Sequence, residues 1–401
     1  MTRGVSTLRF ERNIKASVQD VYRAFTSQAA VEEWLCNCAM IDSMQKTRLY
    51  LCWDSGYYTC GEFFKLIPNK EIGFTWLGRN EPAKTRVYIR LKRSGLDTQL
   101  VLEHRGIRAT SKWQAASENI QKGWEVGLQN LVSILETGRD LRIINKPMLG
   151  INLQDFSPEI AASLGIPVSE GVRLESVMSN MGAEQAGLKK DDVIVEVSGM
   201  PILGYPSLSN ILQKHKAGDR IDVTYYRGSQ KNTVSVNLSE RPLPSVPASP
   251  AELAQIVEEM YDAGDSILAA SIENTTESDA SFKPGPDEWS VHEVLAHLIH
   301  NERDLQFGMH KWLVNESFSY PPNIQTRIDA TVAVYPTIPE LIQALNVAEA
   351  ETLAFVRRLP EKFTAQRDSY WYLAYNLLQY TGHLKEHIEQ IKSILAKARA
   401  R

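Results

Sequence analysis

The chain has 401 residues, of which 43% are hydrophobic and 23% charged, with a formal net charge of −4. This length exceeds one ordinary hydrophobic core, so we expect two to four globular domains. No segment approaches the roughly 20 apolar residues of a membrane-spanning helix, and the first residues lack the apolar run of a secretory signal. We therefore expect no membrane partner and a cytoplasmic location.

The charge is unevenly distributed along the chain. Residues 1–145 contain 21 Lys and Arg against 15 Asp and Glu, whereas residues 250–401 contain 13 against 22. The basic residues at the front are interspersed with acids and form no basic cluster with interleaved aromatics, which nucleic-acid binding requires. Nucleic acid is not an expected partner.

Residues 1–142 read as one α+β domain. "TLRFERNIKA" alternates as a strand does, "SVQDVYRAFTS" has helical spacing, and several short strands precede a long amphipathic helix that ends near Gly138. In sequence and in order, "VYRAFTSQAAVEEWL", "GEFFKLIPNKEIGFTW", "DTQLVLEHRG" and "GWEVGLQNLVSILE" resemble bacterial homologues of the heat-shock-protein-90 ATPase activator, within the START-like helix-grip superfamily.

This resemblance implies an apolar cavity between the sheet and the long helix, in some members a site for a small hydrophobic ligand. The candidate cavity walls are the large aromatic residues Trp34, Trp53, Phe74, Trp76, Trp113 and Trp124. The alternative is that each of them is ordinary core, because large apolar residues are buried far more often for packing than for ligands. His104 is interpreted as a structural histidine.

The four cysteines, Cys36, Cys38, Cys52 and Cys60, all lie in this first domain. Their spacing is not the paired C-x-x-C of common zinc sites. We therefore interpret them as reduced thiols in strands or in a cavity wall.

Residues 144–240 resemble a PDZ domain of the kind attached to HtrA proteases, most specifically in "AGLKKDDVIVEVSG". In the usual PDZ pattern the strand follows Gly-Asp, whereas this chain has Asp191-Asp192, which puts one turn in doubt. PDZ domains add a peptide strand to a sheet edge and hold its terminal carboxylate with backbone N–H groups. The sequence shows no protease domain before this segment and no Ser/His/Asp arrangement, so we do not expect the enzymatic activity of the HtrA proteases.

The resemblance assigns peptide binding to two segments. The loop "MLGI" would supply N–H donors from Leu149, Gly150 and Ile151, and the helix "SLSNILQKH" would line a side-chain pocket with Leu208, Ile211 and Leu212. The partners implied are peptide or protein C-termini. The alternative is a PDZ domain that only packs against its neighbours.

Four prolines in residues 241–250 predict an extended linker, because proline continues neither a helix nor a sheet ladder. Residues 251–401 then read as an all-α four-helix bundle. The second helix begins with a capping box at Ser290 and Glu293, the third begins at Thr337, and the fourth is predicted over residues 371–399. The whole chain is thus predicted to be multidomain: an α+β helix-grip domain, a mainly-β PDZ domain and a bundle.

Two segments of the bundle, "EWSVHEVLAHLIHNERD" and "YTGHLKEHIEQI", resemble the DinB-like family. Many members bind a divalent metal through three histidines, which maps here onto His297, His383 and His387, with zinc or nickel as the implied cofactor. Residues four apart lie one turn apart on a helix, so His383 and His387 can share one ion. His292 and His300 are nearby alternatives, although His300 falls opposite the apolar stripe and is expected to be solvated. Glu302 falls within that stripe, where an unpaired carboxylate is costly, so we expect a buried partner for it; the alternative is that it supports the metal ligands.

These assignments leave three hypotheses of function open. The first is a regulatory or stress-related protein that binds ligands and peptides and carries the three-histidine site. The second is a metal-dependent hydrolase or thiol transferase in the bundle, with its catalytic residues unknown. The third is a co-chaperone-like activator that acts through the first domain.

Overall fold

A computed structural model describes residues 5–42, 47–286, 288–314 and 325–401, without the side chains at 5 and 380–382. The chain forms two compact units, one of Met1–Arg139 together with Pro244–Arg401 and the other of Asp140–Leu243. In the described part of the chain, no helix is long and apolar enough to cross a membrane.

The first domain is a seven-stranded antiparallel sheet that packs against one long helix, as the α+β prediction requires. The strand order is β1-β7-β6-β5-β4-β3-β2, so β1 and β2 are the edges. The strands are β1 (Val5–Ile14), β2 (Cys38–Ile41), β3 (Arg48–Cys52), β4 (Tyr58–Ile67), β5 (Glu71–Gly78), β6 (Thr85–Ser94) and β7 (Asp97–Arg108). The helices are α1 (Val18–Thr26), α2 (Gln28–Trp34) and α3 (Ser111–Thr137).

Helix α3 ends where the sequence predicts. Gly138 adopts a left-handed φ of 78° and its N–H donates to the carbonyl of Ile134, an end that favours glycine. The predicted apolar face of α3 is buried at Leu128, Leu131 and Leu135. The core of the domain therefore lies between this face and the sheet.

The second unit is a small antiparallel β domain with short helices. Its sheet runs β13-β12-β10-β9-β8, with β11 paired to β10, so β8 lies at an edge. The strands are β8 (Ile151–Gln154), β9 (Val172–Val177), β10 (Val193–Val197), β11 (Met200–Pro201), β12 (Arg220–Arg227) and β13 (Gln230–Asn237). The helices are α4 (Leu141–Ile144), α5 (Pro158–Ser163), α6 (Gly182–Gln185) and α7 (Tyr205–Leu212).

The C-terminal part of the chain is the predicted helical bundle. Its long helices are α8 (Pro250–Ile272), α10 (Val291–Val314), α12 (Ile338–Arg357) and α15 (Tyr380–Arg399). Shorter helices are α9 (Glu277–Ala280), α11 (Gln325–Val334), α13 (Glu361–Thr364) and α14 (Arg367–Leu378). Apolar residues of all four long helices share one buried cluster.

The prediction of one continuous helix over residues 371–399 is wrong. The segment is divided at Gln379 into α14 and α15. The N–H of Gln379 is within reach of the carbonyls of Tyr375, Asn376 and Leu377, so the last turn of α14 is tightened where the helix ends. The two histidines of the predicted metal site consequently lie in the first half of a separate helix.

The first domain and the bundle pack against each other within one unit. Arg23 of α1 forms an ion pair with Asp368 of α14, and both side chains are largely buried. Ser369 donates to the Glu33 carboxylate at 2.9 Å, and the Tyr372 hydroxyl donates to the Glu33 carbonyl at 2.8 Å. Helix α14 therefore contacts both α1 and α2, and α10 also reaches α2 through the ion pair of Lys311 with Glu32 at 2.6 Å.

Candidate functional site

The three predicted metal ligands come from two helices of the bundle. Helix α10 begins at the predicted capping box, since the Ser290 N–H donates to Glu293 Oε2 at 2.8 Å and the Glu293 N–H donates to Ser290 Oγ at 3.3 Å. His297 follows less than two turns later. His383 and His387 lie one turn apart on α15, which packs against α10.

The three imidazoles converge through their Nε2 atoms. His383 Nε2 lies 3.4 Å from His297 Nε2 and 3.1 Å from His387 Nε2, and all three ligand atoms lie within 4.8 Å of one another. Two nitrogens bound at the usual zinc distance in a tetrahedral site are about 3.3 Å apart. Because lone pairs that face each other so closely repel, this arrangement fits a shared cation. Among the described residues it is the one such group of three.

The protonation of the site also favours metal binding. His387 Nδ1 lies 2.9 Å from Gln390 Oε1, an acceptor, so Nδ1 is placed to donate there while Nε2 faces the other two imidazoles. Burial, and next the proximity of His387, lower the pKa of His383, which keeps that imidazole neutral. Sequence reasoning missed Gln390, although its position one turn after His387 was the available signal.

The two alternative histidines are structural. His292 Nε2 lies 2.8 Å from the Glu277 carboxylate. The prediction that His300 is solvated is wrong, because the side chain is buried against α11, with Nε2 2.8 Å from Thr331 Oγ1 and 3.0 Å from the Arg327 carbonyl. The apolar stripe of α10 could not reveal this contact, since α11 covers the opposite face.

The buried partner expected for Glu302 is present. Glu302 is fully buried and accepts hydrogen bonds from the Tyr261 hydroxyl at 3.0 Å and from Thr352 Oγ1 at 2.8 Å. A second carboxyl group, Glu349, is buried in the same core. Burial, with smaller contributions from the Asp265 and Glu302 charges, raises the pKa of Glu349 to about 9.

The residues predicted to bind peptide lie at the start of β8, an edge strand of the sheet, and on helix α7. Leu149, Leu208 and Ile211 are buried, and Ile151 and Leu212 are partly buried. All five belong to one apolar cluster. The structure thus brings the "MLGI" loop and helix α7 together.

The backbone of the loop has an orientation suited to an anionic ligand. The Ala183 N–H donates to the Leu149 carbonyl, and the Met178 N–H donates to the Gly150 carbonyl, each at 2.8 Å. A trans peptide directs N–H opposite to C=O, so the N–H groups of Gly150 and Ile151 point away from those donors. Gly150 has φ +81°, and a Cβ there would lie 2.3 Å from Met181 Cβ, so the loop requires glycine.

The six aromatic residues proposed as cavity walls are packed together in the first domain. Trp34, Phe74, Trp76, Trp113 and Trp124 are buried in the core cluster, and Trp53 packs against it. A cavity of about 740 Å³ elsewhere in this domain is lined by residues that include Gln28, Met40, Tyr50 and Lys84, and none of the six aromatics lines it. Ligand binding between sheet and helix stays a prediction.

His104 is a core residue, as interpreted from the sequence. It is fully buried, its Nδ1 accepts the indole N–H of Trp124 at 3.0 Å, and its Nε2 lies 2.7 Å from Thr85 Oγ1. Burial lowers its pKa to about 4. A neutral imidazole with both nitrogens engaged serves packing.

Three family descriptions match the chain in succession. Residues 15–136 match the Activator of Hsp90 ATPase homolog 1-like protein family, residues 147–238 the PDZ domain, and residues 260–391 the DinB superfamily.

Relatives of known name match the region that includes the PDZ domain. A probable periplasmic serine endoprotease DegP-like of Marinomonas sp. is 35% identical over 99 residues, which are 25% of this chain and 21% of that protein. A serine protease Do-like HtrA of Lactococcus lactis is 33% identical over 123 residues, which are 29% of this chain and 30% of that protein. The chain therefore spans less than a third of the length of either relative.

Two solved structures match about a third of this chain. The Aha1 dimer of Colwellia psychrerythraea is 22% identical with a TM-score of 0.29, and covers 33% of this chain and 96% of its own. An HSP90 activator of Plasmodium falciparum is 23% identical, with the same TM-score and coverage.

The chain is a multidomain protein that carries, in this order, an Hsp90-ATPase-activator-like helix-grip domain, a PDZ domain and a DinB-superfamily helical domain.

Proposed function

We propose that this protein is a multi-domain binding protein that holds a divalent metal ion in its bundle and recognises peptide C-termini with its PDZ domain. The convergence of three imidazole Nε2 atoms, 3.1 and 3.4 Å apart at His383, supports the metal site most directly. An all-imidazole donor set suits zinc or nickel better than magnesium or calcium, which prefer oxygen ligands.

The metal site also supports a second candidate function, a metal-dependent hydrolase or thiol transferase. Three protein ligands are typical of a catalytic zinc site, whereas structural sites usually have four. A bound ion of this kind supplies Lewis acidity and lowers the pKa of a coordinated water or thiol. Gln390 holds one ligand in place, because its Oε1 lies 2.9 Å from His387 Nδ1 as a hydrogen-bond acceptor and so orients that imidazole.

Metal analysis of the intact, purified chain tests the site. We expect about one zinc or nickel ion per chain, because three convergent imidazoles form a single site. His383→Ala removes the central ligand and should reduce the metal content at least about tenfold. Elemental analysis after exhaustive dialysis is the measurement, with circular dichroism to show that the bundle stays helical.

His310→Ala is the matched control, since His310 is an exposed histidine on the same helix as His297. It should retain the full metal content. Equal metal in the wild type and in His383→Ala, or none in a folded wild type, would rule out the proposed site.

Peptide recognition is supported by the free edge of β8 and by the N–H groups of Gly150 and Ile151. A carboxylate bound by such N–H groups requires a free peptide C-terminus. We expect peptides selected from a C-terminal library to lose binding at least about tenfold when the terminus is amidated, because the charge-assisted hydrogen bonds are lost. Isothermal titration with each pair of free and amidated peptides is the measurement, and equal affinity would contradict this mode of binding.

A further inference from the structure

Two of the four cysteines face each other on the edge of the first domain's sheet. Cys38 is the first residue of the edge strand β2 and Cys52 is the last residue of β3. The two are paired directly in the antiparallel register. Directly opposite residues have Cα atoms about 4.5 or 5.5 Å apart, depending on the type of pair, and both values fall in the range that a disulfide spans.

Both side chains lie on the outer face of the sheet. In β2 and β3 the buried residues alternate with Cys38 and Cys52, which are partly exposed. Opposite residues of an antiparallel pair project to the same face, so both thiols lie on this partly exposed face. The Cys38 thiol is also close enough to form a hydrogen bond with the Cys52 thiol.

The backbone around the pair is held in this register. The Asn37 N–H donates to the Cys52 carbonyl at 2.9 Å. The Asn37 side chain donates to the Asp54 carboxylate at 2.8 Å and accepts from the Asp54 N–H at 3.2 Å. A covalent bond between the two thiols would therefore require little movement of the strands.

The other two thiols are not placed to compete. Cys36 is buried in the core. Cys60 is paired with Tyr50, two residues from Cys52, which makes it a diagonal neighbour at about 7–8 Å. That separation exceeds the usual Cα range of a disulfide, and the Cys60 thiol donates instead to the Leu77 carbonyl at 3.8 Å.

We propose that Cys38 and Cys52 are a modification site, a dithiol that forms a reversible cross-strand disulfide by exchange with a low-molecular-weight disulfide. One thiol, as its thiolate, attacks the small disulfide, forms a mixed disulfide and releases one small thiol. The second thiol then attacks the mixed disulfide and releases the other small thiol. The dithiol is oxidised by two electrons, the small disulfide is reduced, and the two protons end on the released thiols.

Either thiol can begin the exchange. The cysteine directly opposite it in the register then resolves the mixed disulfide.

Thiol counting on the intact chain tests the proposal. The protein is fully reduced, desalted, treated with oxidised glutathione, denatured in acid and alkylated, and its mass and peptides are then measured. We expect two of the four thiols to be lost from alkylation and Cys38 and Cys52 to be recovered in one cross-linked species without bound glutathione. Reduction with dithiothreitol should restore all four thiols.

Three variants distinguish the proposal from general oxidation. Cys60→Ser should still lose two thiols, whereas Cys52→Ser should retain a glutathione adduct on Cys38, because the resolving thiol is missing. Cys38→Ser should form no cross-link at Cys52. The proposal is overturned if all four wild-type thiols remain free, or if the cross-link joins a different pair.

Discussion

At the scale of single residues, the departure of this PDZ domain from its family pattern shows how one turn tolerates a substitution. Asp191 stands where glycine is usual and adopts a left-handed φ of 68°. Aspartate is among the few non-glycine residues that enter this region readily. Its carboxylate also accepts hydrogen bonds from the Arg173 guanidinium and from the Gln154 side chain. The turn is thus preserved, and the fold predicted for this domain is confirmed.

Asp191→Gly should change the free energy of unfolding of this unit by less than about 1 kcal/mol. Glycine relieves about 1 kcal/mol of left-handed strain, and the loss of a partly exposed ion pair with Arg173 costs about as much. Amide hydrogen exchange at β10 in the intact chain measures the change in the local stability of this unit.

Asp192→Ala is the contrasting variant at the next position. Asp192 is fully buried and accepts from the Lys189 N–H at 2.7 Å and from Arg227 at 2.7 and 2.8 Å. Asp192→Ala should lower the free energy of unfolding of this unit by about 2 kcal/mol or more, because it removes a buried carboxylate and the charged hydrogen bonds that this carboxylate accepts. Equal effects of the two substitutions would contradict this account of the turn.

At the scale of helices, the bundle concentrates carboxyl groups in its core. Glu302 of α10 and Glu349 of α12 are buried, and Asp265 of α8 is close enough to interact with Glu349. Burial disfavours the charged form, so Glu349 remains protonated at neutral pH with a pKa of about 9. The bundle therefore holds a carboxyl proton that the unfolded chain would release.

Glu349→Gln should make the bundle less sensitive to alkaline pH. The pKa of Glu349 is higher in the folded state than in the unfolded chain, where it is near 4.5, so the folded protein loses stability as the pH rises from about 5 towards 9. Glutamine resembles the protonated carboxyl group and has no proton to release. Between pH 5 and pH 8 the variant should therefore lose at least about 1.4 kcal/mol less free energy of unfolding than the wild type, the equivalent of one pKa unit. Urea denaturation at both pH values is the measurement.

Glu351→Gln, an exposed position on the same helix, is the matched control and should leave the pH dependence unchanged. If Glu349→Gln and the wild type lose the same stability between pH 5 and pH 8, the buried proton is not on Glu349.

Helix ends were predictable only where a residue type marks them. Gly138 and the Ser290–Glu293 capping box mark an end and a beginning, and the structure confirms both. The break at Gln379 has no such mark, because glutamine is a good helix former.

At the scale of the whole molecule, the first and last domains are one compact unit although the PDZ domain separates them in the chain. Their contact includes several buried polar groups. Arg23, Asp368 and Glu33 are all largely buried, and burial, followed by the Asp368 charge, raises the pKa of Glu33. These groups couple the helix-grip domain to α14, which directly precedes the helix with two of the histidines.

Asp368→Ala should destabilise this unit by about 3–5 kcal/mol. The substitution leaves the Arg23 guanidinium without its carboxylate in a buried position, which costs more than the net value of the pair. All eight tryptophans lie outside residues 140–243, so tryptophan fluorescence during urea denaturation reports on this unit alone.

Glu258→Ala is the matched control, because it breaks the exposed ion pair with Arg357 inside the bundle. It should cost no more than about 1 kcal/mol. A similarly small effect of Asp368→Ala would show that the contact between the two domains contributes little to stability.

The sequence by itself determined the three fold types, their order, the ends of several helices and the identity of the three candidate metal ligands. Periodicity, capping residues and family motifs are local properties of a segment, so they survive without knowledge of the rest of the chain. Only the tertiary structure brings His297 into contact with His383, 86 positions away in the chain. It also places Gln390 beside His387 and buries His300. It also decided the ion pair of Arg23 with Asp368, 345 residues apart, because only the complementary surfaces of two folded domains select such a contact.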